Sequence, residues 1–285
     1  MKLRKELKPL KAELMDIRGL STYVECHGNK QSQAVVLLHG FTGSANTWTE
    51  ITQQLSADYY VIAVDLVGHG RTASPEDPSR CRIEEQTADL HNLLRKLQVT
   101  QPVLLGYSMG GRVAAGYAYA YSEEISGLIL ESSSPGLRTA EERTARRESD
   151  AILANRIENE GIEKFVEFWE AIPLFDSQKK LSQEQQLAVR NERLNQDSGG
   201  LANSLRGMGT GSQPSYWGDL SYFNFPVLLL TGSEDAKFQN IAREMSRLLP
   251  NVLHETIIDA GHALHVEKPR QFATMIKSFL KQFDN

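Results

Sequence analysis

Short apolar runs rich in β-branched residues alternate with helix-like segments along most of this chain. Several of the runs are apolar throughout rather than alternating, which is typical of strands that are buried on both faces of a parallel sheet. They lie at residues 34–40, 60–66, 102–107, 127–133, 226–232 and 252–259. The helix-like segments lie at residues 44–55, 83–97, 109–121, 238–249 and 268–283. This order predicts an α/β fold with a mostly parallel central sheet and helices on both faces.

Two segments depart from this alternation. STYVEC at residues 21–26 precedes the first apolar run, and we expect it to form an antiparallel strand at the edge of the sheet. Residues 134–224 are polar and helical in pattern, and the segment is too long for a plain loop. We therefore expect a single domain over residues 1–285, with residues 134–224 inserted as a helical cap over the carboxyl edge of the sheet.

Composition argues against several classes of protein. The 285 residues carry a net charge of −5 with dispersed positive residues, so no basic stripe for nucleic acid is present. The start, MKLRKELKPLK, lacks the apolar run of a secretory signal, and no stretch approaches the roughly 18 apolar residues of a membrane span. Pro9 favours a frayed terminus. Cys26 and Cys81 match no metal or redox spacing, and we expect them to be free thiols. We therefore expect a cytoplasmic protein. The sequence does not indicate its oligomeric state.

The heptapeptide GYSMGGR at residues 106–112 carries the strongest chemical signal. Its serine, Ser108, lies between the apolar run PVLLGY and the helix-like segment MGGRVAAGYAYAY. In Gly-x-Ser-x-Gly at a strand-to-helix turn, a strained backbone lifts the serine hydroxyl clear, and the glycines let neighbouring backbone pass. The context therefore predicts a catalytic role for Ser108, whereas the motif alone could occur by chance in a glycine-rich loop.

A serine hydroxyl needs a histidine to accept its proton and a carboxylate to hold that histidine. Asp235 and His262 each follow a predicted strand and complete the order serine, acid, histidine. All three residues then lie in loops at the carboxyl edge of the sheet, where such folds assemble their active sites. Glu234 and Asp259 remain alternatives for the acid, and His265 remains an alternative for the base.

An oxyanion requires two backbone N–H donors held in place. One donor typically belongs to the residue after the serine and the other to the loop after an earlier strand, which here are Met109 and Phe41 of HGFTGS. The N-terminal dipole of the helix that follows the serine points at the same place. His39 and His69 lie beside glycines in loops, where we expect structural roles, and the remaining histidines carry no signal.

The motifs HGFTGS, DLVGHGRT, GYSMGG, the strand-terminal Asp235 and AGH resemble the α/β-hydrolase superfamily in that order, over nearly the whole chain. The resemblance implies an α/β-hydrolase fold with a helical cap, but it implies no single reaction, since the fold serves esterases, C–C hydrolases and lyases. A closer resemblance extends through the inserted segment, to the 2-succinyl-6-hydroxy-2,4-cyclohexadiene-1-carboxylate synthases of menaquinone biosynthesis. It is carried by GYSMGGR, SPGLRTAEERTARRESD (134–150), FWEAIPLF (168–175), AVRNERLNQ (188–196), LRGMGTGSQPSYW (205–217) and SEDAKF (233–238).

This closer resemblance implies a lyase that expels pyruvate from a cyclohexene bearing three carboxylates, with the serine as a base and without an acyl-enzyme. It also implies that Arg112, Arg146 and Arg190 bind substrate and that Tyr107 and Trp169 line the pocket. Arginine suits this task because its planar guanidinium stays charged and binds a carboxylate through two hydrogen bonds. The i+4 spacing also places Arg112 on the same helix face as the serine.

The residues themselves leave alternatives open at all five positions. Arg112 could bridge to a nearby acid, and Arg146 and Arg190 lie in charge-rich runs that usually form solvated helix faces. Tyr107 and Trp169 could be packing residues. Other arginines lie close enough in the sequence to be confused with the substrate-binding ones: Arg138, Arg143, Arg147 and Arg193.

Two other functions stay open at this level. One is a carboxylesterase or C–C bond hydrolase with an acyl-enzyme on Ser108, and the other is a binding protein for a small acidic ligand. A receptor has no need of a complete Ser108, His262 and Asp235 set, which argues against the second. We expect a small polycarboxylate as the partner, neither nucleic acid nor membrane, and no metal or organic cofactor, since the sequence has no metal-ligand cluster and no dinucleotide fingerprint.

Overall fold

The computed structural model describes residues 9–284, so most of the terminus that we expect to be frayed lies outside the described residues. Within this range the strands are β1 (Lys11–Ile17), β2 (Leu20–His27), β3 (Ala34–Leu38), β4 (Tyr60–Val64), β5 (Val103–Tyr107), β6 (Gly127–Glu131), β7 (Val227–Gly232) and β8 (Val252–Ile257). They form one sheet in the order β1-β2-β4-β3-β5-β6-β7-β8. The pairs β1–β2 and β2–β4 are antiparallel, and the remaining pairs are parallel.

The helices cover both faces of the sheet and the carboxyl edge. They are α1 (Thr49–Leu55), α2 (Ile83–Leu97), α3 (Met109–Ala120), α4 (Ala140–Glu170), α5 (Gln183–Leu194), α6 (Ser198–Met208), α7 (Ala236–Ser246), α8 (Leu264–Glu267) and α9 (Pro269–Leu280). Short 3-10 helices lie at Ala45–Trp48, Pro78–Cys81, Ser122–Glu124, Pro173–Lys180, Leu220–Tyr222 and Lys281–Phe283.

The central strands are buried on both faces, which explains their continuous apolar sequences. Along β3, Val36 and Leu38 pack into the hydrophobic core on one face, and Val35 and Leu37 pack into the core on the other. Because successive side chains of a strand point to opposite faces, a run of this kind fills two cores at once. The predicted α/β architecture and its six parallel strands are confirmed.

The edge of the sheet differs from the prediction. Residues 21–26 do form an antiparallel strand, β2, but β1 lies outside it and is the true edge. A two-residue turn joins the two strands, with positive φ at Arg18 (52°) and Gly19 (78°) as in type I′ hairpins. The sequence of β1, KAELMDI, escaped recognition because most of its side chains are exposed or only partly buried, so it has no apolar run.

Between β6 and β7 the chain forms α4, α5 and α6 with connecting 3-10 turns, and the described residues of this segment contain no strand, as expected. Helix α4 is broken at Gly161, whose φ of 83° and ψ of 170° are not helical. The segment has a small core of its own, against which Phe41 and Trp169 pack. The fully or nearly fully buried members of this core are Ala154, Ile157, Phe165, Val166, Leu201, Ala202 and Leu205.

Strand β5 and helix α3 meet so closely that two glycines are required. A Cβ atom at Gly110 would lie 2.1 Å from the carbonyl oxygen of Leu38, and one at Gly106 would lie 2.4 Å from the carbonyl oxygen of Gly110. Real Cβ contacts do not reach such distances, so either change forces backbone to move. This contact fixes the turn between β5 and α3.

Two further expectations can be compared with the described part of the chain. Cys26 and Cys81 are free and buried, as expected. No helix in residues 9–284 has both the length and the apolar character needed to cross a membrane.

We predict that Gly110→Ala lowers the free energy of unfolding by about 2 kcal/mol, because the backbone clash outweighs the better helix propensity of alanine. Chemical denaturation followed by circular dichroism measures the change. Gly218→Ala is the matched control, since a Cβ there meets nothing within 4 Å. Equal stability of the two variants would contradict the close contact.

Candidate active site

Ser108 occupies a strained turn between β5 and α3. Its φ of 49° and ψ of −104° are unfavourable for a residue with a side chain, at a cost of about 1–3 kcal/mol. Its backbone N–H donates to the carbonyl oxygen of Glu131 at 2.9 Å, which ties the turn to the neighbouring strand β6. Because α3 begins at Met109, the serine lies at the positive end of that helix.

His262 and Asp235 form a hydrogen-bonded chain with Ser108. The Nε2 atom of His262 lies 3.1 Å from the Ser108 Oγ, and its Nδ1 atom lies 2.7 Å from Asp235 Oδ2. The other carboxylate oxygen of Asp235 accepts from the backbone N–H of Phe238 at 3.2 Å, at the start of α7. His262 is only 2% exposed and Asp235 7%. This geometry allows the histidine to take the serine proton while the carboxylate holds the ring.

The alternative acids and base lie in other contacts. Glu234 forms an ion pair with Lys180. Asp259 is exposed, and the structure does not bring its carboxylate to His262. His265 is fully engaged by Glu131, with Nδ1 at 2.8 and 2.9 Å from the two carboxylate oxygens. The structure therefore brings together the set that the sequence analysis favoured.

A cavity of about 390 Å³ opens above Ser108, between the sheet edge and the segment that contains α4 to α6. Phe41 and Met109 line it together with the serine and His262. Neither the Phe41 nor the Met109 backbone N–H donates a hydrogen bond within residues 9–284. Both amides are thus available to an oxygen atom of a ligand in this cavity.

Arg112 lines the cavity without a carboxylate partner among the described residues. Its Nη1 donates to the carbonyl oxygen of Met208 at 2.6 Å and to Gln213 Oε1 at 2.7 Å. Burial, and secondarily the charge of Arg146, lowers the pKa of Arg112 to about 10. The guanidinium is still charged at neutral pH, and only neutral oxygens hold it in place, so it can accept an anion.

Arg146 lines the same cavity from α4. Its Nε donates to Asp150 at 2.8 Å, one turn along the helix. The terminal nitrogens have no carboxylate contact among the described residues, and the side chain is 41% exposed. Arg146 is therefore only partly neutralised. Arg112 and Arg146 therefore bring two positive charges to a cavity whose lining also contains the carboxylates of Glu142 and Glu244.

The structure does not bring Arg190 to this cavity. Its guanidinium pairs with Glu170 and lies 3.9 Å from Glu167, and it lines a separate groove on α5. The next arginine along, Arg193, is buried, lies 4.6 Å from the centre of the Phe175 ring and also contacts Glu170. The partner Glu170 lies at the end of α4, 20 residues from Arg190 in the sequence. The role of Arg190 in substrate binding stays a prediction.

Tyr107 and Trp169 both line the cavity. The Tyr107 ring packs between the rings of His262 and His265, with centroid distances of 5.3 and 4.7 Å, and burial raises its pKa well above the ordinary value. Its phenol is therefore neutral and can donate a proton to a hydrogen bond. The Nε1 atom of Trp169 is buried and has no hydrogen-bond partner in the described residues. Both side chains offer a donor to a bound molecule.

Sequence reasoning missed several residues of this site. Arg138 and Lys237 also line the cavity; Arg138 pairs with Glu244, whereas Lys237 has no carboxylate partner within residues 9–284. The buried Glu131 was missed as the partner of His265, although its place at the end of β6 beside the serine turn is a usable signal. In the described chain, no three His, Cys, Asp or Glu side chains group in a way that could hold a metal ion.

Comparison with known proteins agrees with this geometry. A family model described as alpha/beta hydrolase fold matches residues 33–269. That match covers more than half of the chain and includes the six strands β3 to β8, the serine turn and His262. The chain therefore belongs to the α/β-hydrolase family.

Within that family, the chain is similar to synthases of one kind. A protein of Bacillus subtilis (strain 168) with the provisional name 2-succinyl-6-hydroxy-2,4-cyclohexadiene-1-carboxylate synthase is 44% identical over 92% of this chain and 95% of its own. The synthase of that name from Photorhabdus laumondii is 30% identical over 88% of this chain and 86% of its own. The solved structure of MenH from S. aureus superposes with a TM-score of 0.88 and 39% identity, over 91% of this chain and 98% of that one.

We predict that Ser108→Gly is more stable than Ser108→Ala by about 1 kcal/mol, because glycine tolerates the positive φ whereas alanine retains the strain. Thermal and denaturant unfolding of the two variants measure the difference. Glycine gains freedom in the unfolded chain, which offsets part of the relief. Ser108→Ala being the more stable variant would show that the turn is not strained.

Proposed function

We propose that this chain is a carbon–oxygen lyase that converts 2-succinyl-5-enolpyruvyl-6-hydroxy-3-cyclohexene-1-carboxylate into 2-succinyl-6-hydroxy-2,4-cyclohexadiene-1-carboxylate and pyruvate, in menaquinone biosynthesis. The observation that carries the proposal is Arg112, a charged guanidinium in the serine cavity without a carboxylate partner among the described residues. The named synthases that resemble the chain over most of its length support it.

The charges of the cavity suit an anionic substrate. Three carboxylates on one ring lose much hydration on entering a cavity, at a cost that paired cations must offset. Arg112 and Arg146 provide such cations beside Ser108, and Lys237 provides a third at the start of α7. A neutral ester has no carboxylate for these cations, so an esterase would gain nothing from an unpaired Arg112.

In the proposed reaction, Ser108 acts as a base. His262 accepts the serine proton through Nε2, and Asp235 stabilises the charged ring through Nδ1. The serine oxygen then removes the ring proton next to the succinyl ketone, and the ketone oxygen becomes an enolate. The backbone N–H groups of Phe41 and Met109 are free to donate to that oxygen.

The enolate then collapses to the product. As the ketone C=O re-forms, the C=C electrons of the enolate form a new ring double bond at the carbon that lost the proton. The existing ring double bond moves by one position, and the ring C–O bond to the enolpyruvyl group breaks. The leaving group departs as the enolate of pyruvate and is protonated to pyruvate, with the proton that His262 holds as its source. Tyr107 and Trp169 are the neutral donors that can bind oxygen atoms of the ring substituents.

The proposal also covers organisation and location. We take residues 134–224 as a cap on a single domain over residues 1–285, with a small polycarboxylate as its ligand. The two buried free thiols, Cys26 and Cys81, support a reducing compartment such as the cytoplasm.

The test of the reaction is pyruvate release from the enolpyruvyl substrate, followed with lactate dehydrogenase and NADH. We expect rapid release by the wild type and a loss of about 10³-fold or more in Ser108→Ala, which lacks the base. Absence of pyruvate above background would overturn the proposal. Fast turnover of a neutral nitrophenyl ester with a burst of nitrophenol would instead identify a serine esterase.

Loss of the unpaired cation should weaken the reaction strongly. We predict that Arg112→Ala lowers kcat/KM for the enolpyruvyl substrate by about 100-fold, since a desolvated carboxylate then lacks its partner. Arg146→Ala should lower it by about 10-fold, because Asp150 already neutralises part of that charge.

Arg156→Ala is the matched control for Arg146→Ala. Arg156 lies on the same helix and pairs with Glu160 at the same i, i+4 spacing, but it does not line the cavity. We expect its kcat/KM within a factor of about two of the wild type. Equal, small effects of all three substitutions would contradict the role of the cavity charges.

A further inference from the structure

Glu192 joins the cap to the loop that follows β3. It lies on α5, and its Oε1 accepts three hydrogen bonds: from the Ser44 backbone N–H at 3.0 Å, from the Ser44 hydroxyl at 2.7 Å and from the Thr47 hydroxyl at 2.8 Å. No basic side chain pairs with it within the described residues. Burial raises the pKa of the Glu192 carboxyl above its ordinary value despite these donors.

The loop held by Glu192 contains the Phe41 amide. Residues 40–43 form a tight turn in which the Gly43 N–H donates to the Gly40 carbonyl oxygen at 3.1 Å. Phe41 and Thr42 are the central residues of this turn, and Thr42 has a positive φ of 68°. Ser44 follows the turn directly, so its position limits how the turn can tilt.

The core holds the other end of the same loop. The Nδ1 atom of His39 donates to the Gly40 carbonyl oxygen at 2.8 Å, and its Nε2 accepts from the Leu66 backbone N–H at 2.9 Å. Burial lowers the pKa of His39 to about 4, so the ring is neutral at pH 7 and can use one nitrogen as donor and the other as acceptor. Asp65 accepts from the Ala45 N–H on the far side of the turn.

The cap also holds the side chain of Phe41. The ring meets Trp169 edge-on at 5.5 Å and Phe165 at 6.2 Å, both from α4. Two parts of the cap therefore contact this turn. Aromatic packing alone orients a ring but tolerates sliding, whereas three hydrogen bonds to one oxygen fix a position to within a few tenths of an ångström.

We infer that Glu192 is a positioning residue for the oxyanion site: through Ser44 and Thr47 it holds the turn that carries the Phe41 amide in place above Ser108. An oxyanion donor works only at hydrogen-bond distance from the oxygen as it develops charge. The cap thus contributes to transition-state stabilisation as well as to substrate binding. The inference rests on the proposed function for the role of Phe41 and for the reaction that measures it.

The kinetic test compares Glu192→Gln with Glu192→Ala. Glutamine retains an oxygen in the place of Oε1, so we expect Glu192→Gln to keep kcat within about threefold of the wild type. Glu192→Ala should lower kcat about 10-fold or more while KM changes less than about threefold, since a displaced oxyanion donor affects the transition state. Glu184→Ala, an exposed acid on the same helix, is the matched control and should behave as the wild type.

Two results would overturn the inference. If Glu192→Ala raises KM with kcat unchanged, Glu192 only holds the cap over the substrate. If Glu192→Gln loses as much kcat as Glu192→Ala, the hydrogen bonds that Glu192 accepts do not position the turn.

A second variant covers the case in which Glu192→Ala does not fold. The pair Ser44→Ala and Thr47→Val removes both hydroxyl donors from the other side of the contact, and we expect the same loss of kcat with little change in KM. An unchanged kcat would contradict the inference. Wild-type pyruvate release tests the proposed function separately: if the wild type releases none, that function fails, and the same kcat comparison is made on the ester that it hydrolyses.

Discussion

The active site depends on the contact between the end of β5, the start of α3 and the end of β3. At that contact the backbones meet without side chains between them, and Gly106 and Gly110 are the residues that permit it. The strain at Ser108 persists because the sheet holds both sides of the turn, including the bond from its N–H to Glu131. With a looser contact, the backbone of Ser108 could relax to a more favourable φ and ψ, and the serine would lose its place in the turn.

The parallel topology of the sheet brings the residues of the candidate site together. The strands β3, β5, β7 and β8 all end at the same edge, so the loops that follow them deliver Phe41, Ser108, Asp235 and His262 to one place. These four residues lie far apart in the sequence, and each reaches the site because the strand before it ends at this edge. The geometry of Ser108, His262 and Asp235 is therefore a property of the sheet.

The cavity carries an electrostatic imbalance. The protein as a whole is acidic, with a net charge of −5, but the cavity places Arg112 among neutral oxygens and leaves Arg146 only partly paired. Burying a cation in this way is unfavourable, which the lowered pKa of Arg112 reflects. A bound anion would offset the free energy of burying this charge. A site for neutral esters has no use for such an unpaired cation.

Local sequence patterns predicted the features that depend on local physics. Continuous apolar runs identified the parallel strands, and the serine motif with its flanking strand and helix identified the turn. Predictions failed where the outcome depends on partners distant in sequence. The sequence of β1 has no burial signal, and the residues around Arg190 do not reveal Glu170, its partner on another helix. Glu192 looks like an ordinary surface acid in the sequence until the fold brings Ser44 to it. The place of Glu131 at the end of a buried strand is a signal, but only the fold shows that its partner is His265.

The break in α4 at Gly161 divides that helix into two rods that make different contacts. The first rod carries Arg146, which lines the cavity, and the second carries Phe165 and Trp169, which pack against the ring of Phe41. In a continuous helix, the two rods would have to rotate together. With the break, the first rod can rotate about its axis without turning the second, so the wall of the cavity near Arg146 and the packing around Phe41 are mechanically independent.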